Sequence, residues 1–163
     1  MTTSLDELIE QAGARIRERE MRIFFLMEKT NHDPRGLELA DRNGRYVTLL
    51  EEPSQPDTVR ILRFDARGFL GHSVYPDATA ALQDALREGF TDEVPGTLDH
   101  LSKTPLWQHS TAMLEIFHAL NDGRLTDEEA RTKRAEIDLL FNLGDNGHTT
   151  SNEPPPQPAK ETS

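Results

Sequence analysis

The chain has 163 residues and no cysteine, with 35% hydrophobic and 29% charged residues, and 29 acidic against 18 basic side chains set the net charge at −11. The lack of cysteine excludes disulfides, thiolate metal sites and cysteine nucleophiles, and the acidity disfavours direct nucleic-acid binding, which draws its affinity from phosphate contacts. Asp6, Glu7 and Glu10 stand where an export signal needs a basic region, and the longest apolar run, Ile23–Met27, falls far short of the roughly 20 residues that span a bilayer; a cytoplasmic protein without a membrane span is expected.

Ser4-Leu5-Asp6-Glu7 has the form of a capping box, and Leu5, Ile9, Ala12, Ile16, Ile23 and Met27 recur at near-helical spacing after it. Arg15, Arg17, Arg19 and Arg22 interleave with Glu18 and Glu20, the pattern of a solvated, salt-bridging helix face. The run Ile23–Met27 is apolar all round and fits a buried helix end or a strand; Asn31-His32-Asp33-Pro34 ends the element either way.

A strand-rich block follows. Leu37–Ala40 and Tyr46–Leu50 flank Asn43-Gly44, a pair favoured in type I′ turns. Val59–Phe64 and Phe69–Tyr75 flank Asp65-Ala66-Arg67-Gly68, a second hairpin. These predict a four-stranded antiparallel meander. A helix starts at Pro76-Asp77, turns Ala78, Ala81, Leu82, Ala85 and Leu86 to the sheet, and stops at Gly89. A short turn around Leu98–Leu101 precedes Thr104-Pro105, a good N-cap followed by proline at the first helical position.

The helix from Pro105 reaches about Asn121. Leu106, His109, Met113, Ile116, Phe117 and Leu120 form one stripe on it, and Trp107, Leu114 and His118 form a second. A helix with two apolar faces needs two partners. Gly123 ends it, and Thr126-Asp127-Glu128-Glu129 is a second capping box, opening a helix that carries Ala130, Ile137, Leu140 and Phe141. The tail from 144 holds Pro154-Pro155-Pro156-Gln157-Pro158, has nothing to bury, and is expected to be disordered.

Candidate chemistry is sparse. His109 and His118 point to opposite sides of their helix, so one metal cannot use both. His72 and Ser73 are neighbours on a predicted strand, so their side chains face opposite sides of the sheet and the serine is not activated. Asp127, Glu128 and Glu129 occupy a helix's first turn, where the macrodipole favours negative charge. No cofactor or metal is expected.

The segment from Leu114 to Leu140 resembles the short C-terminal (SHOCT) helical-hairpin domain. Gly123, Leu125, Thr126, Glu128, Glu129, Lys133 and Leu140 carry the resemblance; Ala130 stands where that family usually has Phe or Tyr. The resemblance implies an oligomerisation or interaction appendage with no catalytic role.

The expected protein is α+β: an N-terminal helix in 1–34, an antiparallel four-stranded meander with a packed helix in 35–103, a helical hairpin in 104–143, and a disordered tail in 144–163. Its expected function is protein–protein interaction or self-association without catalysis, through Leu114, Phe117, Leu120, Leu125, Ile137, Leu140 and Phe141. Two other readings stand beside it: an acidic, DNA-mimicking inhibitor of a nucleic-acid-binding or defence enzyme, and a small enzyme with a histidine site near His72 or His100.

Overall fold

The computed structural model describes residues 3–142, so the expected tail lies outside the described residues. The fold is α+β, and the chain divides into two compact units, Met1–Thr111 and Ala112–Ser163, with the division inside a helix.

The first unit opens with helix α1 (Leu5–Lys29). Its capping box forms as the sequence implies: the Ser4 amide donates to the Glu7 carboxylate at 2.9 Å and the Glu7 amide to Ser4 Oγ at 3.2 Å. The apolar run Ile23–Met27 is helical, with Leu26 fully buried while Phe24 and Phe25 face outward. The helix stops where Asn31 and His32 take left-handed backbone, with φ of 53° and 61°.

Strands β1 (Glu38–Ala40), β2 (Arg45–Glu51), β3 (Val59–Asp65) and β4 (Gly68–Tyr75) form the expected antiparallel meander. The sheet has five strands, however, in the order β4-β3-β2-β1-β5. The fifth, β5 (Asp92–Glu93), pairs with β1; it lies between Gly89 and Leu98, where no element is expected from sequence, and not in Ile23–Met27. Between β1 and β2, only Gly44 of the Asn43-Gly44 pair has positive φ, so the turn is not type I′. Asp41 organises it instead, accepting from the Asn43 and Arg45 amides at 2.8 and 2.9 Å, as short acidic side chains do in turns.

Helix α2 (Ala78–Arg87) starts at Asp77, whose carboxylate accepts from the Ala80 amide, and buries Ala81, Leu82, Ala85 and Leu86. With α1 it covers one sheet face, closing a core around Leu39, Val47, Leu49, Ile61 and Phe90. Each such side chain contributes roughly 1.5–3 kcal/mol by leaving water. The strand alternation sends Tyr46 and Phe64 to the other face, where Trp107 meets Phe64 and Phe69 edge-on at 6.1 and 5.0 Å.

Trp107 lies at the start of α4 (Pro105–Asn121), which follows the short α3 (Thr97–Ser102). Buried Glu38 accepts from the Thr97 and Leu98 amides at 3.1 and 2.9 Å, so β1 supplies the acceptor that α3's first turn lacks. The second unit holds the rest of α4 and helix α5 (Asp127–Asn142).

Candidate functional site

The hairpin is built by local signals. Gly123, with φ of 71°, closes α4, and the Arg124 and Leu125 amides donate back to the Ala119 carbonyl at 2.8 and 3.2 Å, the hydrogen bonding of a glycine C-cap. Thr126 and Glu129 form the reciprocal cap of α5, at 2.8 Å from the Thr126 amide and 3.2 Å from the Glu129 amide. The Thr126 amide and hydroxyl, both donating to the Glu129 carboxylate, hold its pKa below the usual range.

The seven residues selected from sequence fall into three sets. Leu125 and Ile137 line the inner groove of the hairpin, about 370 Å³, together with Ile116 and Ala119. Leu120 and Phe141 are half-buried. Leu114 and Phe117 on α4 and Leu140 on α5 are exposed, Leu140 by 71%. Leu139 joins this outward set at 61% exposed and was missed, because its neighbour Leu140 alone fitted the chosen helical stripe. Ala130, at the position of the expected aromatic, is buried. Of the two stripes read on α4, Trp107 and Ile116 are buried, one from each, while Leu106 is half exposed.

The histidine geometry can be read directly. His72 is exposed on β4, while Ser73 is half-buried and its hydroxyl accepts from Arg63 at 2.9 Å. Ser73 is therefore engaged by a guanidinium. That guanidinium belongs to a polar network joining β3, β4 and α2. Arg63 Nε donates to Glu88 at 3.0 Å, and the Tyr75 hydroxyl donates to Asp84, which also accepts from Arg87. Glu88 holds Arg63 further above its ordinary pKa, while the hydrogen bonds from Tyr75 and Arg87 lower that of Asp84. Burial, then the bond to Asp84, raises Tyr75. The network ties α2 to the sheet through Arg63, Tyr75, Asp84 and Glu88.

Arg15, Arg19 and Arg22 of α1 gather with Arg87 along a groove of about 870 Å³ that also includes Glu18, Phe25 and Asp92. Arg22 lies over the Phe25 ring, 5.5 Å from its centre, and donates to the Thr91 carbonyl at 3.2 Å. Among the described residues no group of three or more His, Asp or Glu could hold a metal ion, and no helix is long and apolar enough to cross a membrane. Comparison of the chain with protein-family models, curated proteins and solved structures finds no match.

Proposed function

We propose that this chain is a non-enzymatic interaction protein whose α4–α5 hairpin docks a protein partner or a second copy. The observation that carries the reading is the outward set Leu114, Phe117, Leu139 and Leu140 on the two helices of the hairpin, the second of which is capped by Thr126 and Glu129. Large side chains left in water cost free energy that a partner recovers by covering them. Leu125 and Ile137 line the hairpin's inner groove, and Leu120 and Phe141 are half-buried. The resemblance of Gly123, Leu125, Thr126, Glu128 and Glu129 to a short C-terminal hairpin domain supports the same role.

The test uses the full chain. Phe117→Glu with Leu140→Glu changes exposed positions, so the circular dichroism and melting temperature should stay as they are, with each change within about 0.5 kcal/mol of neutral. Pull-downs with the native chain should retain proteins that the double variant loses. Identical retention by both removes the hairpin from the docking role.

A further inference from the structure

The free end of α1 carries a surface that the sheet unit does not use. Leu5, Ile9, Ala12 and Ile16 follow one another at alternating spacings of four and three residues, and Arg19, Ile23 and Leu26 continue the series. This is the repeat that lines one seam of a paired helix. The seam has two fates along its length. At the C-terminal end Leu26 is buried and Ile23 packs against the core. At the N-terminal end Leu5, Ile9 and Ile16 stand 71, 62 and 50% exposed.

Charge along the free stretch is segregated. Residues 5–12 carry Asp6, Glu7 and Glu10 and no basic side chain, whereas residues 13–19 carry Arg15, Arg17 and Arg19 against Glu18 alone. A parallel second copy would set like charge on like. An antiparallel copy sets the acidic half of each helix against the basic half of the other. The fold adds a steric reason, because a parallel copy in register would need its own Ile23 and Leu26 in the space that the sheet unit fills.

We propose that the seam from Leu5 to Ile16 pairs antiparallel with the same seam of a second copy of this chain. Leu5 then lies opposite Ile16 of the second copy, and Ile9 opposite its Ala12, so a large side chain meets a small one. Beside the seam, Leu8 meets the aliphatic stem of Arg15 and Asp6 meets Gly13, which leaves no like-charged pair flanking it. The overlap is about 18 Å of helix at the usual rise per residue. The pairing stands independently of the hairpin's role.

The test uses the full chain in sedimentation equilibrium. A dimer is expected, and Ile9→Asp, at an exposed site, should raise its dissociation constant at least tenfold without changing the circular dichroism, while Phe117→Glu should leave it unchanged. Because the chain has no cysteine, Leu5→Cys and Ile16→Cys report orientation. Mixed and oxidised, the two variants should form the 5–16 disulfide in preference to either homodisulfide. A monomer at every concentration overturns the proposal, as does a monomer that pellets with anionic vesicles. Homodisulfides formed at each position in preference to the mixed one overturn it as well. A dimer lost with Phe117→Glu but kept with Ile9→Asp assigns self-association to the hairpin instead.

Discussion

The sheet unit and the hairpin are held together in different ways. In the sheet unit the decisive polar contacts join residues far apart in the chain: Glu38 with Thr97 and Leu98, Lys29 with Glu93, Arg63 with Glu88. They surround side chains removed completely from water, among them Ile61, Leu39 and Phe64. In the hairpin the described contacts run between near neighbours, such as Thr126 with Glu129 and Arg124 with Asp122. Its buried side chains, Ile116, Ala119 and Ala130, are few and mostly small. The difference teaches that full burial and long-range polar contacts are concentrated in the sheet unit, while the hairpin's described contacts are local and its buried side chains few.

Ile61→Ala is expected to break the sheet unit hardest, by about 2–5 kcal/mol in urea unfolding, since it empties a fully buried site. A comparable loss from Ile116→Ala would erase the contrast between the regions. Glu38→Ala should follow at about 1.5–3 kcal/mol, because two amides of α3 lose a charged acceptor. The same unfolding experiment measures it, and no effect would mean that α3 is capped by other means. Thr126→Ala should cost about 1 kcal/mol, read as faster amide exchange in the first turn of α5 with the sheet amides unchanged.

The smallest expected effect is acid sensitivity. Burial pushes Asp41 upward, but the amides of Arg45 and Asn43 and the Arg45 guanidinium outweigh it, so its pKa is lowered. Ser54 first, then Arg60, lower that of Glu52. A carboxylate lowered in the folded state adds stability that is complete above its unfolded pKa, near 4, and is lost as pH falls through the folded value. Asp41→Asn should therefore flatten part of the decline in melting temperature below about pH 4. An unchanged profile would show that Asp41 titrates alike in both states.

Much of the fold was legible because its signals are local. The caps at Ser4, Asp77, Thr104 and Thr126 need only a hydroxyl or carboxylate within reach of amides two or three residues on. The four meander strands showed by their alternation and intervening turns. The fifth could not: Asp92–Glu93 has two acidic residues and no apolar pattern. It exists because β1 offers free edge groups, taken by the Thr91 amide on Ala40 and the Val94 amide on Glu38, each at 3.0 Å. The Asn43-Gly44 turn misled for a related reason, since Asp41, outside the pair, dictates the turn. At the candidate site, helical spacing could not separate inner Leu125 and Ile137 from outer Leu114, Phe117 and Leu140.

The sequence by itself determined where elements start and stop, that the class is α+β, and that the chain ends its described part in a capped hairpin, because caps, turns and periodicity act over a few residues. Tertiary structure decided the helical state of Ile23–Met27, the fifth strand, the buried acceptor role of Glu38, and the split of α1 into a covered and a free seam. Each of these depends on which surface lies opposite in space, and a stretch of apolar or acidic residues reads the same whether that surface is protein or water.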